Sequence, residues 1–125
     1  MIYVVLNAVP ILLAAAVSWG ITAAFEPRAR TIWPGAVIFA AFAWMAAITA
    51  GALIVAPPQA GEWTMAIMTG VVLAIGFFIP ARIIDDRNRA ASWVASLLGG
   101  VRWLAVLLAQ VLVMKTYGLV PPPGL

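Results

Sequence analysis

The run TIWPGAVIFAAFAWMAAITAGALIVAPPQAG, residues 31–61, contains no charged side chain. The hydrocarbon core of a bilayer is about 30 Å thick, and roughly 20 apolar residues of helix cross it. This run exceeds that length and closes on Pro57-Pro58, where a helix cannot continue. Outward from it, residues 1–25 form a second charge-free run and residues 63–81 a third. Residues 90–114 form a fourth, apolar except for Arg102 and scattered polar groups. The expectation is an all-α, integral membrane four-helix bundle, with helices near 2–25, 32–56, 63–83 and 92–117 and an extended tail, 118–125. Helices are required because hydrocarbon offers backbone N–H and C=O groups no partner outside the segment. A β-barrel needs alternation, which Val71-Val72-Leu73-Ala74-Ile75 refuses.

Composition agrees. Of 125 residues, 66% are apolar and 9% charged. That charged share is roughly a third of the usual fraction in soluble proteins. One domain of this length could not cover such a sequence with polar surface. Histidine and cysteine are both absent. Cofactor ligation through His or Cys, thiol chemistry, disulfides and imidazole acid–base work are thereby excluded.

The connections are short. Glu26-Pro27-Arg28-Ala29-Arg30 ends helix one, Pro57-Pro58-Gln59-Ala60-Gly61 ends helix two, and residues 82–91 hold most of the charge. Residues 1–25 lack the basic leader of a signal peptide and exceed its usual apolar length, so they are expected to remain as the first helix. Arg28, Arg30, Arg82, Arg87 and Arg89 lie in connections one and three; connection two has no basic residue, and the C-terminal segment has only Lys115. Basic loops stay cytoplasmic. Both termini are therefore expected to be periplasmic, with connections one and three cytoplasmic, in a multi-pass protein of the bacterial inner (cytoplasmic) membrane. The net charge of +3 reflects this bias and implies no nucleic-acid partner.

Trp33, Trp63 and Trp93 each stand at the start of an expected helix, where an indole anchors to the headgroup region. Trp19 and Trp103 suit the same role one turn deeper. Trp44 falls mid-helix, as a gap filler between alanine-rich helices or as a contact with a pigment, quinone or neighbouring subunit. Small residues recur every fourth position: Ala16-Gly20-Ala24, Ala43-Ala47-Gly51, Ala66-Gly70-Ala74 and Ala91-Ala95-Gly99. Such ladders allow close helix approach, inside the chain or outside it.

Arg102 has two readings. On an unbroken helix from Ser92 it lies about 15 Å along, near the midplane, where it needs a partner. A break at Gly99-Gly100 would instead let it snorkel to the cytoplasmic headgroups. Asp85-Asp86 could bind a divalent cation with substrate phosphates. The simpler expectation is a charge-balanced loop whose Arg82, Arg87 and Arg89 meet anionic lipid or a neighbouring protein. Nucleophile–base arrangements are not expected: there is no histidine and no intramembrane aspartate, and Ser18, Ser92 and Ser96 lack a plausible base. Asn7, Thr49 and Gln110 read as interhelical hydrogen-bonders. Pro10, Pro34 and Pro80 are expected near helix ends or in first turns, and the proline-rich tail as a frayed end.

Asn7-Ala8-Val9-Pro10 and Gly76-Phe77-Phe78 before a charged turn resemble small four-helix bacterial inner-membrane proteins of unknown function, which implies no activity. The stretch from Phe25-Glu26 to Trp33-Pro34 looks like that of the small multidrug-resistance transporters. That resemblance implies a membrane-embedded glutamate in the first helix. Counting back from Trp33-Pro34, the matching position here is Ala16, and helix one holds no acidic residue. Without a carboxylate, proton-coupled export lacks its coupling group. The expected function is therefore that of a non-catalytic accessory subunit of a larger bacterial membrane complex, photosynthetic or respiratory. Its partners would be other membrane subunits and lipids, with Trp44, Arg102, Arg82, Arg87 and Arg89 as contacts and lipid, quinone or pigment alongside. The alternative is a small homodimeric membrane transporter with Arg102 attracting anions.

Overall fold

The computed structural model describes residues 2–56 and 61–123. Pro57 to Ala60 of the second connection, Met1, and Gly124 and Leu125 of the tail lie outside the described residues. The described chain is helical, and four of its helices are long and apolar enough to cross a membrane.

The first is interrupted. A short α1 (Ile2–Leu6) gives way at Asn7 (φ −114°, ψ 27°) to α2 (Ala8–Phe25). Pro10 causes the interruption, because it has no N–H for the Leu6 carbonyl and its ring crowds that oxygen. A 3₁₀ turn (Pro27–Arg30) then leads into α3 (Ile32–Val55). Ala29 in that turn is fully buried, and its carbonyl accepts the Trp19 indole N–H at 2.9 Å. A Cβ on Gly35 would sit 2.5 Å from the same oxygen, so only glycine lets the turn tuck against α3.

The third helix departs furthest from expectation. It runs Glu62–Asn88, not 63–83, as α4 (Glu62–Leu73), one π-helical turn (Ala74–Phe78) and α5 (Ile79–Asn88). Pro80 therefore lies inside a continuous helix. In the wider turn the Ile79 N–H reaches back to the Ala74 carbonyl. That turn absorbs the bond and the space that proline denies to Gly76. The third connection shrinks accordingly. Ala90, at φ 55°, closes α5 with a left-handed cap. The Ala91 N–H returns to the Asp86 carbonyl at 2.8 Å. The Ser92 hydroxyl then accepts the Ala95 N–H and starts α6 (Trp93–Tyr117), as a capping serine does. This helix is continuous through Gly99-Gly100, so the expected break does not occur.

The most enclosed element is α6, packed against α2, α4 and α5. Helix α2 also packs on α3, whereas α3 approaches only α4 of the third helix and diverges from the π turn and α5. Two cores result, both alanine-rich. One joins Ile11, Ala14, Ala46, Ala47, Ala50 and Met114; the other joins Ala15, Phe42, Ala74, Val106 and Leu107. Of the four small-residue ladders, the one that starts on α4 is wholly buried, with Gly70 against Val111 and the Leu107 carbonyl. The ladder on α2 is turned outward, and Gly20 faces open space. Between α2 and α6, Gln110 donates to the Ser18 hydroxyl at 3.0 Å, and Ser18 donates to the Ala14 carbonyl. Thr49 does not bridge helices, since its hydroxyl returns to the Met45 carbonyl of its own turn.

Candidate functional site

The densest polar cluster lies where α5 meets α6. Its centre is Asp86, 0% exposed. One carboxylate oxygen accepts from Arg82 Nε at 2.9 Å and Arg89 Nη2 at 2.7 Å; the other accepts from Arg82 Nε and the Ser96 hydroxyl, both at 2.8 Å. Three donor groups thus meet the carboxylate, with the single Arg82 Nε–H shared between its two oxygens. Arg87 Nη2 donates to the Ala91 carbonyl and to Ser96 Oγ, and its guanidinium lies 3.9 Å over the Trp93 ring. The structure corrects the loop expected at residues 82–91: most of it is helix, which separates the two aspartates. Asp86 points inward against Ser96, and Asp85 is exposed. The adjacent carboxylates therefore do not converge, and no group of three His, Cys, Asp or Glu capable of holding a metal occurs among the described residues.

Arg82 reaches this cluster across Gly99. A Cβ on Gly99 would fall 2.6 Å from the Arg82 guanidinium carbon, so the bare backbone of α6 is the surface the guanidinium lies on. The Gly99-Gly100 pair serves packing here, since Gly100 faces Ile79. Arg102, one turn further on, has a partner that the sequence did not suggest: its Nη1 donates to Glu26 at 3.1 Å. This contact places Arg102 level with the end of α2. At the opposite end, Lys115 donates to Glu62 at 3.0 Å. Six of the seven basic residues and three of the four acidic ones belong to the Arg102 end, and one of each to the Lys115 end.

Because α3 diverges from α5, a cleft of about 250 Å³ opens at the Arg102 end. Ile38, Ala41, Phe42 and Met45 of α3 form one wall, Trp103 and Val106 of α6 the floor, and Arg82 and Arg102 the charged margin. Trp103 is no interfacial anchor. It stacks on Phe78 at 5.2 Å between centroids and tilts against Phe42 at 6.3 Å. Offset and tilted ring pairs of this kind hold the cleft floor in place. A second hollow of about 500 Å³ shares Arg82 and Trp103 with it and continues past Asp85 and Arg89. The lining offers guanidinium donors, aromatic faces and aliphatic walls, with the hydroxyl of Thr22 beside them.

Trp33 (79% exposed), Trp63 and Trp93 all project outward from helix starts. Trp19 does not, as its N–H is spent on Ala29. Trp44 is 65% exposed, so the gap-filling reading fails and its ring faces away from the bundle. Asn7, buried at the α1–α2 break, donates Nδ2–H to the Tyr3 and Val120 carbonyls and accepts the Val120 N–H. The tail is therefore clamped as far as Val120, not frayed from Gly118. Comparison of the chain with protein-family models, curated proteins and solved structures finds no match in any of the three.

Proposed function

We propose that the four helices thread a bacterial inner membrane and that the protein is a non-catalytic accessory subunit of a larger membrane complex, photosynthetic or respiratory. The concentration of basic residues at the Arg102 end supports a cytoplasmic placement for connections one and three, with both termini periplasmic. One observation carries the subunit reading. The Glu26–Arg102 pair marks the level at which α2 ends. From there α6 continues toward Trp93 by about 13 Å at the helical rise, and α5 continues beside it. Along that projection Val94, Leu97, Leu98 and Val101 form an outward apolar stripe. With the ion pair placed at the headgroup level, this projection stands outside the hydrocarbon, and its stripe suits another protein. Ile79, Ile83 and Leu104 extend it into a shallow apolar groove beside Leu97 and Val101. Trp44, at membrane depth, suits a lipid, quinone or pigment.

Purification in mild detergent, with cross-linking from position 97, tests this reading. A stoichiometric membrane partner is expected with the native chain and lost with Leu97→Gln/Leu98→Gln, which leaves helicity unchanged. Migration of the native chain alone would refute it. The second reading, a small homodimeric transporter, draws on the cleft, but no carboxylate stands at Ala16 to couple export to protons. Anion uptake into liposomes, abolished by Arg102→Ala, would favour it.

A further inference from the structure

Neither arginine at the cleft margin is used up by its ion pair. Arg82 gives only Nε to Asp86, and among the described residues its two terminal nitrogens have no acceptor. Arg102 gives only Nη1 to Glu26. Both side chains are about a quarter exposed, and both line the same cleft. From that margin an apolar track leads away along one face of α3. Ile38, Ala41 and Met45 line it opposite Val106. Their helical spacing spreads them over about 10 Å of axis. A guanidinium pair at the mouth of an aliphatic groove is complementary to one kind of molecule, an amphiphile with an anionic head.

We propose that this cleft seats one anionic phospholipid, with its phosphate between Arg82 and Arg102 and one acyl chain along Ile38, Ala41 and Met45. Guanidinium forks pair with phosphate oxygens in a planar, two-point geometry, which discriminates an accessible phosphate from a zwitterionic headgroup that brings its own cation. The surplus of basic over acidic residues at this end attracts the same lipid. Gly99 is part of the device, because a Cβ there would lie 2.6 Å from the Arg82 guanidinium carbon and push the side chain from its place. The proposal requires a bilayer and no protein partner, so a chain that purifies alone still tests it.

The test is native mass spectrometry of the full chain in detergent, titrated with phosphatidylglycerol or phosphatidylcholine. One phosphatidylglycerol per chain is expected to be retained, in clear preference to phosphatidylcholine. Arg82→Gln and Arg102→Gln should each weaken retention roughly fivefold. Ala41→Phe fills the groove while leaving both arginines in place, so it should release the lipid without loss of helicity, and it decides the matter if an arginine variant misfolds. Inorganic phosphate at millimolar concentration should not displace the lipid. Equal retention of the two lipids, full retention by Ala41→Phe, or displacement by phosphate would each overturn the assignment.

Discussion

Asp86 accepts from three donor groups with no exposed surface, whereas Glu26 and Glu62 each accept from one at the rim. Exposed ion pairs contribute about 0–1 kcal/mol. Removing the charge from a buried acceptor is different, because the donors aimed at it are left without a partner. Asp86→Asn also turns an NH₂ group toward two guanidinium groups and the Ser96 hydroxyl. It is expected to lower the thermal unfolding midpoint, followed by circular dichroism in detergent, well below that of Glu26→Gln or Glu62→Gln. Equal shifts for all three would contradict the role given to Asp86. Arg82 and Asp86 are four apart, the spacing of a helical ion pair, but that spacing has meaning only on a helix and residues 82–91 read as a loop in the sequence. Ser96 was not legible at all, because it approaches only after the turn at Ala90 folds α6 back on α5.

Four ladders with the same spacing had the same meaning in the sequence, and the elements give them different ones. On α4, Gly70 meets Val111 Cγ2, where an added Cβ would lie at 3.1 Å; on α2, Gly20 meets nothing within 4 Å. Val111 must give by a few tenths of an ångström to admit a Cβ at Gly70, so Gly70→Ala is expected to be less favourable than Gly20→Ala by about 1 kcal/mol or more. Gly20→Ala is expected to be neutral, or to stabilise by up to about 1 kcal/mol through helix propensity. Unfolding of both variants in mixed micelles compares them directly, and a larger loss at Gly20 would place the outward face of α2 against a partner. The π turn follows the same logic. Pro80 signals a disturbance, but proline alone does not say whether the helix stops or widens, and the continued packing of Ile79 on Gly100 favours continuation. That continuation carries Arg82 past Gly99 and shapes the cleft.

At the scale of the molecule, the two ends of the chain are joined. Asn7 holds Val120 by a pair of hydrogen bonds, so the interrupted first helix and the tail close one end of the bundle together. Asn7→Ala removes both bonds. It is expected to speed hydrogen exchange at the Val120 amide about tenfold, with little change in the middle of α6; unchanged exchange would mean that the tail is held by Leu119 packing alone. What the sequence determined by itself was the number of long helices, the exclusion of His and Cys chemistry, and the gathering of charge at one end. These follow from composition and run length, which any fold of the chain must respect. The tertiary structure alone decided which glycines face inward, that Arg102 finds Glu26, that Trp44 faces out, and that the third helix runs on to Asn88. Each of these depends on contacts between residues far apart in the chain. In a sequence this rich in alanine, local pattern carries almost no information about which face of a helix meets which neighbour.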